Sequence, residues 1–209
     1  DLSDGADLHN EADIDRVYMT AKRKLSDTVS FRFTTDVGRE KAVHATVPDG
    51  ADGEVEVDVP GDERIGLFVK YAYVEWQPGG GDIKTRFGVG GTPWCGYYDH
   101  FWGLRVASKS FADTFHLQNT SDIGVHVLGK HADGLVDWHL SAVNGEGYKH
   151  PEHNAGKQAM LRVSVDPLAP GSGGLQLPIS LYGYYEGDTD GDAIAQGAGA
   201  LGFSMDYAT

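Results

Sequence analysis

Val29-Ser30-Phe31-Arg32-Phe33-Thr34-Thr35-Asp36-Val37 repeats with a period of two. Val29, Phe31, Phe33, Thr35 and Val37 fall on one side, and Ser30, Arg32, Thr34 and Asp36 on the other. Successive side chains of an extended chain point to opposite faces, so the stretch predicts a strand with one apolar face and one polar face. The rhythm returns in Ile83, Thr85, Phe87 and Val89 against Lys84 and Arg86. It returns again in Val136, Trp138, Leu140 and Ala142 against Asp137, His139 and Ser141. Two architectures share this alternation. A membrane β-barrel turns the apolar face to lipid and the polar face to a hydrated interior. A soluble sandwich, such as an adhesin domain, packs its apolar faces together.

Outward from these segments the same reading gives strands at 14–24, 29–37, 67–76, 83–90, 104–115, 122–130, 135–143, 159–166, 175–185 and 198–207. A small hairpin, Ala42–Val47 with Glu54–Val59 around Pro48-Asp49-Gly50, interrupts the long connection 38–65. Ser26-Asp27, Gly79-Gly80-Gly81-Asp82 and Pro167–Gly174 are turn signals. Residues 94–103 are irregular and aromatic, which predicts a short helical turn folded over a barrel mouth or into its interior. About ten strands linked as hairpins, with short turns alternating with long loops, predict an all-β, antiparallel up-and-down transmembrane barrel over residues 1–209 as one domain.

Composition narrows the function. Hydrophobic residues make up 40% of the chain, as in water-soluble proteins, but a barrel strand gives only alternate residues to lipid. No apolar run reaches the roughly 18 residues a spanning helix needs, so any crossing is made by sheet. A net charge of −14 argues against nucleic acid as a partner. Asp49, Asp52, Glu54, Glu56, Asp58, Asp62 and Glu63 concentrate acid in one connection, read as a solvated loop. The single cysteine, Cys95, forms no internal disulfide. The chain opens on Asp1-Leu2-Ser3-Asp4 without the pattern of a signal peptide.

Chemistry-bearing motifs are sparse. Asp188-Thr189-Asp190-Gly191-Asp192 begins like a calcium loop, but Gly199 stands where an EF-hand has its bidentate Glu, so an acidic surface loop is the reading preferred. His150 and His153 lack metal-ligand spacing, and the nine histidines form no zinc set. No nucleophile elbow, phosphate loop or cofactor fingerprint is present, so neither an enzyme nor a cofactor is expected.

An ordered set of segments carries a family resemblance. These are Asp15-Arg16-Val17-Tyr18-Met19, Val29 to Asp36, Lys70-Tyr71-Ala72-Tyr73-Val74-Glu75-Trp76 and Lys84-Thr85-Arg86-Phe87-Gly88. Gly91-Thr92-Pro93-Trp94, Ser108-Lys109-Ser110-Phe111-Ala112-Asp113 and Ala142-Val143-Asn144-Gly145-Glu146-Gly147-Tyr148 complete it. Together they resemble the Gram-negative outer-membrane porins that include the phosphate-selective porins. The resemblance implies a trimeric, water-filled channel in the outer membrane, surrounded by lipid and passing small hydrophilic or anionic solutes. Members of that family have about sixteen strands, so the chain is expected to be an internal or truncated portion.

The candidate pore-lining residues are Arg16, Arg32, Lys70, Lys84, Arg86, Arg105, Lys109 and Arg162, with Lys22 beside them on the same reading. Their acidic companions are fewer: Asp36, Glu75, Asp137 and Asp166. A surplus of fixed positive charge in a lumen favours anions. The alternative is that these charges pair with the acids and only keep the interior hydrated. Trp94, Tyr97, Tyr98, His100, Phe101 and Trp102 form a constriction segment or an interfacial girdle, with packing favoured over sugar stacking. A barrel that conducts nothing, acting as a sheath or scaffold subunit, is the alternative function.

Overall fold

Period-two alternation folds here as extended chain. The computed structural model describes residues 16–39, 43–49, 53–59, 65–102, 118–149, 156–168, 177–187 and 200–203. Within these, only the backbone is described for residues 16, 39, 43–49, 53–59, 80, 101–102 and 200–203. The strands are β1 (Arg16–Lys24), β2 (Val29–Arg39), β3 (Val43–Asp49), β4 (Gly53–Val59), β5 (Ile65–Trp76), β6 (Ile83–Gly91), β7 (Ser121–His131), β8 (Val136–Val143), β9 (Gln158–Val165), β10 (Ile179–Glu186) and β11 (Ala200–Phe203). Among the described residues one short α-helix, α1 (Cys95–Trp102), interrupts them. No helix among the described residues is long and apolar enough to cross a membrane.

Nine strands make one sheet in the order β1-β2-β5-β6-β7-β8-β9-β10-β11, and β3 and β4 pair separately. Consecutive neighbours from β5 to β11 are antiparallel. The β1–β2 hairpin closes where the Leu25 and Ser26 N–H groups donate to the Val29 carbonyl at 2.9 and 3.0 Å. Among the described residues β1 and β11 do not pair, so the sheet is open. The chain divides into two units, residues 1–19 with 36–68 and residues 20–35 with 69–209. In the first, β3 and β4 form the small hairpin expected between 42 and 59, in register from Val43↔Val59 to Asp49↔Gly53.

The second unit carries the rest. Its connections at 25–28, 77–82 and 132–135 are tight, whereas 92–120 and 144–157 are long. In a sheet of sequential antiparallel strands, alternate connections fall at the same end, so the three tight ones share an end with the longer connection 166–178. The strand expected at 104–115 lies outside the described residues. β6 and β7 bond each other directly from Ile83↔Gly129 to Gly91↔Ser121.

Which face is buried is the decisive property. On β7 to β10 the polar residues are covered: His126 is 0% exposed, Ser141 1%, Ser164 3% and Ser180 2%. The apolar residues between them are open, with Ile123 at 49%, Leu140 at 45% and Leu181 at 59%. The alternation of Ile83–Val89 and Val136–Ala142 therefore appears in space with its polar side inward. β5 adds a phase slip: Ile65, Leu67 and Val69 are exposed at odd positions, but Val74 and Trp76 at even ones, with Lys70 and Tyr73 both buried between. The described side chains of β1 are exposed on both faces. Gly88 (φ +121°) and Gly124 lie opposite each other in register on the covered face. A Cβ at either would come within 2.2 Å or 2.1 Å of a neighbouring strand's carbonyl oxygen. Such glycines let the backbones crowd together and the sheet bend towards its covered side.

Candidate functional site

The covered face of the second unit gathers its chemistry in three places. The first is the seat of α1. An eight-residue helix is marginal on its own, and here packing holds it. Tyr98 N–H donates to the Trp94 carbonyl at 2.8 Å and starts the helix. The orphan donors at that end, the N–H groups of Trp94 and Cys95, meet the Gln118 side-chain oxygen at 3.2 and 3.3 Å. The Gln118 amide nitrogen reaches Tyr182 Oη and, at 2.7 Å, Met160 Sδ. Trp94 stacks on Tyr98 and on Tyr182, with centroids 5.9 and 5.6 Å apart, and Tyr182 on Tyr184 at 6.3 Å. Trp94, Cys95, Val143, Met160 and Tyr182 thus make a small apolar cluster on the polar side. The aromatic segment packs, as its sequence suggests, and the Phe101 and Trp102 side chains lie outside the described ones.

The second place is a chain of three side chains across β7 and β8. Ser141 Oγ lies 2.8 Å from His126 Nδ1 and 3.2 Å from His139 Nε2. A hydroxyl donates once, and His126 Nε2 faces the Asp122 carbonyl at 3.4 Å, an acceptor only. That assigns the protons: His126 carries its proton on Nε2, Ser141 donates to His126 Nδ1, and His139 donates from Nε2 to Ser141. The His126 ring lies over Gly90, where a Cβ would stand 2.6 Å from it. The Asp122 carboxylate accepts from the Gly145 and Gly147 N–H groups at 2.7 and 3.3 Å, pinning the Asn144-Gly145-Glu146-Gly147 loop.

The third place holds the cations. Arg86 Nε donates to Glu75 Oε2 at 2.8 Å, and Lys84 Nζ stands 3.9 Å from the other oxygen. Arg86 also covers the Tyr73 ring at 4.9 Å. Arg32 lies 4.4 Å above Tyr71 and donates to Thr34 Oγ1 at 3.1 Å. Lys70 Nζ lies 4.8 Å from the Tyr148 ring and 2.9 Å from Thr120 Oγ1. Arg162 covers Tyr97 at 3.8 Å. Four of the sequence-derived cations therefore sit on tyrosine faces, an attraction that holds a cation close to the wall.

The eight candidates are thus divided. Lys84 and Arg86 share Glu75, and Arg32 and Lys70 both approach Tyr71. Arg162 is set apart beneath α1 and is 4% exposed. The Arg16 side chain, Arg105 and Lys109 lie outside the described residues, as do His150, His153 and the Asp188–Asp192 loop. Among the described residues no group of three or more His, Cys, Asp or Glu side chains could hold a metal ion. The reading of the sequence passed over Lys130, exposed and opposite Asp137 on the same face, although its parity with His126 marks it. It also passed over Gln118, whose role depends on a contact 64 residues away that no local pattern signals. Compared with protein-family models, with curated proteins and with solved structures, the chain matches none.

Proposed function

We propose that the chain is an outer-membrane β-barrel protein of the Gram-negative type, whose covered polar face lines a water-filled passage for small hydrophilic solutes with a preference for anions. One observation carries the reading: the polar face is buried and the apolar face is open. In water an apolar side chain gains roughly 1.5–3 kcal/mol on burial. A sheet folding in water would therefore turn Leu140, Leu161 and Leu181 inward and His126, Ser141 and Ser164 outward, the reverse of their exposure. In hydrocarbon the preference inverts, and strands of 8–12 residues match a tilted crossing. Lys84, Arg86 and Lys130 keep accessible side chains on the face, whereas the acids Asp122 and Asp166 are buried and bonded within the wall, which supports the anion preference.

Two measurements test this. Leu140→Arg, on the open face, is expected to cost about 2–4 kcal/mol in urea unfolding from lipid vesicles if Leu140 lies near mid-membrane. A neutral result, or a protein that is monodisperse without detergent, removes the membrane reading. A planar bilayer held in a salt gradient is expected to show conductance with an anion-directed reversal potential; a cation-directed value removes the selectivity. The packing of α1 against β8–β10 favours a second reading, a filled barrel serving as sheath or scaffold, and absence of any conductance selects it. The trimer implied by the resemblance would cover part of the open face and is checked by mass in detergent.

A further inference from the structure

Arg162 lies opposite His139 on β8 and Tyr182 on β10. Its Nε donates to the Pro93 carbonyl at 3.0 Å, one Nη to Ser164 and the other to Asp137. Its guanidinium plane covers Tyr97 of α1, and the hydroxyl of that ring accepts from Ser180 Oγ at 3.0 Å. Ser180 and Ser164 are themselves 2.7 Å apart, so the contacts close into a ring linking β9, β10 and the start of the helix. Pro93, two residues before the helix, and Tyr97 in its first turn are thereby both fastened to the wall by one side chain. Only a flat, forked donor can bond in three directions while stacking on a ring.

We propose that Arg162 is a positioning residue for α1, and not a charge offered to the solute; the proposal rests on the pore reading. By fixing the helix on the polar face, Arg162 sets the width left for permeation, while Lys84, Arg86 and Lys130 act on the solute's charge.

Charge and position separate in the pair Arg162→Lys and Arg162→Gln. Lysine keeps the charge but loses the fork, so both variants are expected to behave alike, with larger conductance and passage of larger neutral solutes. A second readout needs no conduction. Cys95 is the only cysteine, is fully buried, and lies in the first turn of α1. A hydrophilic maleimide is expected to label Cys95 at least about tenfold faster in both variants than in the unaltered protein, because lost buried hydrogen bonds raise the open population. Wild-type labelling and conductance in Arg162→Lys, or labelling of the unaltered protein as fast as in urea, overturns the proposal. If the Arg162 variants do not fold, Ser164→Ala removes one of the three acceptors and takes their place. Faster labelling with larger conductance then supports the proposal, and wild-type values of both overturn it. A wild-type protein that does not conduct ends the pore reading and leaves the labelling test standing.

Discussion

The wall at β5 and β6 and the wall at β8 to β10 are written in the same alphabet and differ in use. At β5–β6 the Lys84 side chain is 42% exposed and Arg86 22%, around a Glu75 that cannot neutralise both. At β8–β10 the polar side chains are closed over by α1 and by one another, and Arg162, Ser164 and Ser180 bond within the protein. A polar residue on such a face can thus meet solute or hold the wall together, and what decides is whether another element covers it. Buried polar groups are costly unless paired, so the covered stretch must be a network. The open stretch has no such obligation.

The sharpest way to break the contrast is at the buried histidine of β7, which leads into the covered stretch. His126→Ala empties the space over Gly90 and leaves the Ser141 hydroxyl without its acceptor. The lost packing and the stranded donor together are expected to cost about 2–4 kcal/mol in denaturant unfolding. The reversal potential should stay where it was, since the ring is fully buried. A changed selectivity with unchanged stability would place His126 in contact with solute and erase the distinction.

Gln118→Ala acts at the same wall with a smaller effect. It strands the N–H groups that begin α1 and a hydroxyl on Tyr182, for an expected loss of about 1–3 kcal/mol. A denaturant midpoint equal to that of the unaltered protein would mean that the cap contributes nothing and that Arg162 and the stacking of Trp94 seat the helix without it.

How much of this could be read beforehand follows the range of the interactions. The alternation in Val136–Ala142 and Ile83–Val89 needed only neighbours, and the strands and their faces came out as written. Which face points inward was not legible, because barrel and sandwich share the pattern. The phase slip between Val69 and Tyr73 was hidden as well, since Lys70 and Tyr71 are both polar enough for either face. Arg162 lies on the face the alternation gives it, but its bonds were not legible: its partner Pro93 is 69 positions away, and no spacing rule reaches that far.

The smallest expected effect tests the open wall. Lys84→Glu places a second carboxylate beside Glu75 and removes the cation that shares it with Arg86, at a side chain two-fifths exposed. Stability should move by no more than about 0.5 kcal/mol, as for most exposed substitutions. The reversal potential should shift towards cations, and Lys130→Glu should add to it, because both residues share the face across β6 and β7. The shift should fade as salt rises, since at 1 M the screening length is only about 3 Å. A shift that persists in high salt would indicate that the substitution has moved α1 or narrowed the passage. The open wall would then be as structural as the covered one.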